Sequence, residues 1–403
     1  MRIVLTGASG FVGSHLVGRL ERAGAELLLV GRSPDALSAQ FPEHKSCSYD
    51  DLAQAGRGYD CLVHPAVHKN DLDGNLDEFT RVNVGLLEQV VADTKAAQIG
   101  RLVSVASVYA LDPANTSPYA EGKRRGAMLL AQVQGIRAET LYLPLVYGEG
   151  WAGRLAVLNR LPGWLARALF VPLAALKPTV QIDQIRQHIL SDRGDFSQAY
   201  TETVLSADQN RNLVYVLGKR FLDLLAAVSI AVLLGWLMNM VWVLVKRDFP
   251  GPGFFPQTRL GQGQKPFTCY KFRTMHQGAK QAGTRDVSEA SVTKLGAFLR
   301  RTKLDETPQI LNLLRNDMSL VGPRPGLPMQ QALTDARQAK HVFDIKPGIT
   351  GLGQIQGIDM STPGRHAEED ARYFALRRLL FDFKILVATV LGAGQGDKVA
   401  EGD

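Results

Sequence analysis

Between Lys219–Arg220 and Lys246–Arg247 the chain reads FLDLLAAVSIAVLLGWLMNMVWVLV, residues 221–245, with Asp223 its one ionisable side chain. As a straight helix this run is about 38 Å long, enough to cross a bilayer. A helix apolar on every face has no side suited to water, so it must lie inside a core or in lipid, and few soluble cores hold one this long. Everything else in the chain has to fold around that segment. The basic pairs at its two ends give no inside–outside asymmetry. That symmetry fits a re-entrant helical hairpin that enters and leaves on one side, with a break expected near Gly235 or Asn239. Asp223 is then expected at headgroup depth, where ionisation is tolerable. Hydropathy alone does not separate re-entrant from spanning.

The apolar run divides a chain of 403 residues, long enough for two cores. The net charge of +7 falls unevenly: residues 219–403 carry a balance of +8 and residues 1–218 a balance of −1. Only the second half is therefore built to meet an anionic partner. Its charges gather beside a hydrophobic hairpin, without an exposed aromatic platform, which argues for a membrane surface or phosphorylated substrate and against nucleic acid. Cys47, Cys61 and Cys269 are scattered, without zinc or disulfide spacing, and read as reduced thiols. MRIVLTG runs directly into a strand with no charged-then-apolar leader, so no secretory signal is expected.

In the first half, RIVLTG leads into GASGFVG, with Gly7, Gly10 and Gly13, and then into the amphipathic SHLVGRLERAG. Strand, glycine turn and helix in that order suit a dinucleotide pyrophosphate. The glycines let the backbone approach, and the helix N-terminus supplies N–H donors and a favourable dipole. The next strand, ELLLVGR, ends on Arg32–Ser33 rather than on an acidic residue, which favours a 2′-phosphate and NADP(H) over NAD(H). After DCLVHPAV (60–67) and RLVSVASVYA (101–110) comes YAEGK (119–123), which opens a helical stretch. Tyr119 and Lys123 would share a helix face. The ammonium is expected to lower the phenol's pKa and contact the nicotinamide ribose, leaving Tyr119 as general acid/base. Ser107 or Ser104 would hydrogen-bond the reacting oxygen.

These residues, with NVGLLEQV (83–90) and LPLVYGEG (143–150), resemble the extended short-chain dehydrogenase/reductases, the nucleotide-sugar epimerases and dehydratases. The resemblance implies a Rossmann-like, doubly wound parallel sheet over residues 1–195, followed by a linker at 196–218. It departs from the family in a short serine-to-tyrosine spacing, in Leu143 where arginine is usual, and in a substrate-binding part compressed into about fifty residues. Epimerase, 4-ketoreductase and inactive nucleotide-binding scaffold all stay open.

The second half sets two carboxylates side by side in TKLDETPQILNLL, followed by GPRP. One carboxylate is enough to cap a helix; Asp305 and Glu306 together are not explained that way. Pro308 suits a first helical turn, so both carboxylates are expected near a helix N-terminus whose dipole lowers their pKa. Around them in sequence stand Lys271, Arg273, Arg300, Arg301, Lys303 and Arg324, a set able to clamp a diphosphate. Arg324, between two prolines, has a pre-set backbone. Lys346 and Thr350 of KPGITG are expected in the same cleft.

With DFPGPGFFPQTRLGQGQKPFTCYKFRTM and KPGITGLGQIQG (346–357), these stretches resemble, in order and spacing, the bacterial sugar transferases, which are polyprenyl-phosphate glycosyl-1-phosphate transferases. The Ser-Pro pair that usually kinks the family's hairpin is absent here. The resemblance implies a small, mostly helical α/β catalytic domain over 219–403 on the cytoplasmic face of a bacterial inner membrane. It implies a UDP-sugar donor, undecaprenyl phosphate as acceptor, Asp305 as nucleophile through an aspartyl-phosphosugar, and Mg²⁺ on Glu306. A homodimer stays open. LLFDFKILVATVL (379–391) reads either as a packed terminal helix or as one lying on the membrane interface.

Overall fold

The computed structural model describes residues 1–65, 76–112, 115–151, 153–191, 199–248, 251–276, 292–358 and 362–393. Residues 66–67, 196–198 and 249–250 of the stretches read above lie outside them. The chain forms two compact units, Met1–Phe170 with Pro178–Ala207, and Val171–Lys177 with Asp208–Asp403.

The first unit strings together β1 (Arg2–Thr6), β2 (Glu26–Val30), β3 (Lys45–Cys47), β4 (Cys61–His64), β5 (Arg101–Ser107), β6 (Arg137–Leu143), β7 (Leu145–Tyr147), β8 (Thr179–Gln181) and β9 (Tyr200–Val204). Seven of them make one parallel sheet in the order β3-β2-β1-β4-β5-β6-β9, and β7 pairs with β8 apart from it. β4 and β5 are buried along their whole length, as strands covered by helices on both faces must be. The strand order reverses between β1 and β4, and ligands of open α/β sheets bind at the carboxyl ends beside such a reversal. The helix Phe11–Arg22 buries Gly13, Leu16, Val17 and Leu20 against the sheet, the spacing of one helical face.

The expected boundary at 195 moves. YTETV, rich in the β-branched and aromatic residues that favour strands, pairs with β6 as the edge strand β9. The described part of the expected linker, 199–218, therefore holds a sheet strand and the first turns of a helix.

The second unit is built on the helix Leu213–Asp248, 36 residues without interruption. The break expected near Gly235 or Asn239 is absent, because neither residue removes a backbone N–H as proline would; the Asn239 Nδ2 donates to the Gly235 carbonyl at 2.9 Å. Both halves of this helix are buried in the same unit, through Tyr215, Asp223 and Ala227 and through Val241 and Val245. Between them Val228, Val232, Leu233, Trp236 and Met240 stay exposed. Asp223 is buried rather than at a headgroup surface: its Oδ1 accepts from the Ser319 hydroxyl at 2.9 Å and the Leu320 N–H at 2.8 Å. Arg220 donates to the carbonyls of Leu313 and Leu314 and so satisfies the open end of the helix Ile310–Leu314.

Around the long helix pack the antiparallel hairpin of β10 (Phe254–Leu260) and β11 (Pro266–Phe272), the parallel pair β12 (Ser319–Val321) and β13 (Gly348–Thr350), and a set of short helices. The unit is small and mostly helical, as expected.

A buried ion cluster closes the first unit. Arg101 donates to the Ile189 carbonyl at 2.9 Å and to Glu139 Oε2 at 3.0 Å, while Glu139 Oε1 lies 2.6 Å from His188 Nε2. Burial alone would raise the Glu139 carboxyl, but His188 and Arg101 outweigh it and hold it at about 2, below its ordinary 4.5. A depressed carboxylate contributes stability present above the unfolded value and lost as pH falls through the folded one. The first unit is therefore expected to weaken as pH drops from about 4.5 towards 2. Glu139→Gln should remove that dependence and, by stranding Arg101, cost about 3–5 kcal/mol at neutral pH. Hydrogen exchange of the β5 and β6 amides in detergent-solubilised protein measures both effects; unchanged exchange in the variant would refute them.

Candidate functional site

The β10–β11 hairpin builds one wall of a cleft of about 260 Å³. Residues two apart on a strand share a face, so Gln257 and Arg259 of β10 fall on the same side as Cys269 and Lys271 of β11, with Gln257 opposite Cys269 in the register. Arg259, Cys269 and Lys271 line the cleft together with Glu306, Gln309, Arg324, Gly348, Ile349 and Gln354. One of these, Arg259, is pinned from behind. Arg259 grips the Gln257 side-chain oxygen with Nε and Nη2 at 3.1 and 2.7 Å, and its Nη1 donates to the Pro325 carbonyl at 2.9 Å. It thereby fixes the turn that carries Arg324.

Asp305 and Glu306 sit in the 3-10 turn Leu304–Gln309, which Lys303 enters with a left-handed φ of 59°. The carboxylates do precede a helix, as expected, but that helix, Ile310–Leu314, spans five residues, too few for a strong dipole. Side-chain charges set the carboxylates apart instead. Glu306 Oε1 accepts from Lys271 Nζ at 2.6 Å and lies 3.7 Å from Arg324 Nη2. Burial pushes Glu306 up, but Lys271 and Arg324 outweigh it and hold the carboxyl at about 2. Asp305 goes the other way. Burial, then repulsion from Glu306, raise it to about 6 against the pull of Lys271, Arg300 and Lys303. Its Oδ1 is buried with no hydrogen-bond partner. An orphaned buried carboxylate oxygen is costly unless a ligand meets it, and here it stands beside an ionised carboxylate. That pair fits a hard divalent cation and an incoming diphosphate.

The other expected cations divide. Lys271 and Arg324 reach the cleft, and Lys303 and Arg300 act on the carboxylates through their field. Arg300 itself donates to the Thr274 hydroxyl at 3.0 Å. Arg301 is exposed and lies over the Phe298 ring, and Arg273 packs against Gly251, where a Cβ would meet its Nη1 at 2.1 Å; neither lines the cleft. Lys346 donates to the Asn316 side chain at 2.6 Å and Thr350 pairs with Thr389 at 2.7 Å, so KPGITG reaches the cleft through Gly348 and Ile349 instead. Arg259, Gln309 and Gln354 were not foreseen. The period-2 placement of Arg259 beside Gln257 in FFPQTRL was the signal available for the first.

In the first unit, Gly7 takes a left-handed φ of 61°, and a Cβ on Gly13 would fall 2.2 Å from the Gly7 carbonyl oxygen. The left-handed φ favours glycine at position 7, and the clash allows only glycine at position 13. The helix that follows is capped by Gly10, which makes no side-chain cap bond, so no cap side chain claims its first-turn N–H groups. The turn fits a dinucleotide pyrophosphate. Arg32 is exposed just past β2, and its charge is felt by Tyr49.

Tyr119 and Ser107 meet, their hydroxyls hydrogen-bonded. The expected fall in the phenol's pKa does not occur: burial raises it. Lys123 turns its ammonium to the Val105 carbonyl at 2.9 Å, and burial lowers it to about 8. A cavity of about 350 Å³ beside it is lined by His64, Asn83, Ser104, Lys123 and Thr140 among others. Ser104 thus faces this cavity, while Ser107 serves Tyr119. His64, at 2.8 Å from the Thr6 hydroxyl, is driven by burial and then by Lys123 down to about 3, and is neutral.

The model of the NAD dependent epimerase/dehydratase family matches residues 3–214, and the model of the bacterial sugar transferases matches residues 214–395. The sugar transferase EpsL of Bacillus subtilis is 38% identical over 172 residues, 43% of this chain and 85% of that protein. The UDP-glucose:undecaprenyl-phosphate glucose-1-phosphate transferase of Caulobacter vibrioides is 38% identical over 186 residues, 43% of this chain and 68% of the relative. A UDP-N-acetylglucosamine 4-epimerase structure from Bacillus cereus covers 51% of this chain and 78% of its own at 15% identity and a TM-score of 0.40. The chain belongs to the NAD dependent epimerase/dehydratase family through residues 3–214 and to the bacterial sugar transferases through residues 214–395.

Proposed function

We propose that the second unit transfers sugar-1-phosphate from a UDP-sugar to undecaprenyl phosphate, beginning a surface polysaccharide or glycoconjugate. The observation that carries this reading is the buried, unpartnered Oδ1 of Asp305 beside the Glu306–Lys271–Arg324 cluster. Asp305 Oδ1 attacks the β-phosphorus of the donor as the bond to UMP breaks, and UMP carries away the bonding pair. A phosphate oxygen of the lipid then attacks the same phosphorus, the Asp305–phosphorus bond breaks, and the carboxylate is restored. Lys271, Arg324 and Arg259 hold the diphosphate oxygens and oppose the charge that builds on them. A Mg²⁺ ion on Glu306 would supply further charge neutralisation.

Undecaprenyl phosphate, the acceptor in the relative's name, is a lipid and agrees with the exposed apolar middle of the long helix. Both ends of that helix pack into one unit, which supports a monotopic arrangement on the cytoplasmic face of the inner membrane rather than a crossing.

For the first unit, the reading is NAD(P)H-dependent reduction of a 4-keto sugar nucleotide ahead of transfer. The glycine turn holds the cofactor, Tyr119 is the proton donor and Ser107 orients the oxygen. A second reading, a nucleotide-binding module without turnover, is favoured by the raised Tyr119 phenol and by the turn of Lys123 towards Val105.

Asp305→Asn is expected to lower UMP release from UDP-sugars by about 10³-fold or more. Glu306→Gln should weaken the Mg²⁺ dependence together with the rate. Near-normal release by Asp305→Asn would rule out the covalent step. Arg259→Lys, which cannot grip Gln257 and Pro325 at once, should lower kcat by about 10–100-fold through displacement of Arg324; steady-state UMP assays decide it. For the first unit, NADPH oxidation with a UDP-4-keto-sugar is expected from the wild type and lost in Tyr119→Phe. Negligible oxidation by both, with transfer intact, would leave the module reading.

A further inference from the structure

We propose that the short helix Gly163–Leu176 is a second membrane-contact element, lying in the headgroup interface of an anionic bilayer. This extends the membrane reading above and rests on it.

Fourteen residues make about 21 Å of helix, short of the roughly 30 Å hydrocarbon core, so this helix cannot cross. Its sequence, GWLARALFVPLAAL, has one polar residue, Arg167. Ala166, Phe170 and Ala174, four apart, turn into the protein. Much of the remaining surface carries open apolar side chains beside the exposed Arg167: Trp164 is 74% exposed, Leu169 44%, Val171 40%, Leu173 38% and Leu176 37%. A soluble surface rarely gathers large side chains into one such face unless something covers it. Tryptophan at one end and leucines along the face are what an interfacial helix presents to the boundary between headgroups and acyl chains.

Two observations identify the cover as lipid. The first is charge. Arg160, Arg167 and Lys177 are exposed around the helix, and no Asp or Glu occurs between Glu149 and Asp183. An apolar helix flanked in sequence by cations and by no carboxylate suits anionic headgroups. The second is continuity with the membrane helix. The Asn212 Nδ2 donates to the Val171 carbonyl at 3.0 Å, and the Gln209 Nε2 to the Ala174 carbonyl at 2.7 Å. Asn212 immediately precedes the long apolar helix, whose first turns expose Leu213 at 70%, Leu217 at 67% and Phe221 at 65%. The short helix is tied to the root of the segment that already enters lipid.

The test uses the full chain reconstituted in phosphatidylglycerol-containing liposomes. Single cysteines from Leu169→Cys, Leu173→Cys, Val232→Cys and Glu21→Cys are labelled with bimane without denaturant, since Cys47, Cys61 and Cys269 are buried. Each is exposed to acyl-chain nitroxide lipids and, separately, to iodide in the buffer. The expected result is loss of fluorescence to nitroxide lipid at 169, 173 and 232, and loss to iodide alone at 21. Iodide quenching at 169 and 173 matching that at 21 would overturn the proposal. Shielding of 169 and 173 from both quenchers would also overturn it, since a second copy or another protein would then cover the face. Failure at 232 as well would instead remove the membrane reading on which the proposal rests.

Discussion

Two charged residues at the root of the long apolar helix fix the rest of the second unit. Asp223 accepts from Ser319 and Leu320. Lys219, one turn earlier, donates to the Val321 carbonyl at 2.9 Å, to the Tyr373 hydroxyl at 3.1 Å and to Asp382 at 2.8 Å. Buried charges cost several kcal/mol each unless their lone pairs and protons are met, and here they are met by one short strand, β12, and by the two helices at the end of the chain. β12 in turn pairs with β13, so closely that a Cβ on Gly348 would fall 2.1 Å from the Gly322 nitrogen. The strand β13 contributes Gly348 and Ile349 to the cleft, and Gly322 begins the turn bearing Arg324. The root of the long apolar helix and the shape of the cleft are thus one construction. Loosening Lys219 or Asp223 would move the cleft wall as well as that root.

Within the cleft, adjacent carboxylates acquire opposite characters from the same few cations. Glu306 takes the short contact with Lys271 and the nearer share of Arg324, and stays ionised near 2. Asp305 is left with burial and its neighbour's repulsion, and rises to about 6. Environments that push two titratable groups apart assign them different work. The raised member keeps its charge less firmly and has an oxygen without a partner, which suits bond formation. The depressed member suits permanent charge. This division answers why two carboxylates stand together where one would cap a helix: the second absorbs the cations that would otherwise tie up the first.

What was legible in the sequence was local. The glycine turn follows from steric limits within seven residues, the membrane-like helix from an unbroken apolar run, and the carboxylate pair from its own adjacency. What was not legible depends on the fold brought from elsewhere. The direction of the Asp305 shift needs its burial, which outweighs the pull of Lys271 and Arg300, and that of Tyr119 needs its burial and the turning away of Lys123. The hairpin break was inferred from charge symmetry at the ends, which constrains topology but not backbone; without proline the helix simply continues. The place of YTETV was lost because a five-residue edge strand is set by the open side of β6 as much as by its own residues.

The excess positive charge of the second half also gains a meaning that composition could not give. Much of it is turned inward. Lys219 and Arg337 hold the buried carboxylates Asp382 and Asp370, the buried Arg377 pairs with the exposed Asp208, and Arg220 satisfies helix carbonyls. Arg259, Lys271 and Arg324 line the cleft. Lys294, Arg301 and Lys384 remain exposed, beside exposed apolar side chains such as Phe298 and Phe383. Cations next to protruding aromatics match a headgroup layer over acyl chains, whereas a nucleic-acid groove needs charge spread along a continuous hydrophilic track. The net charge is thus the sum of three separate placements, in folding contacts, in the cleft lining and on the surface, and only the last follows from its sign.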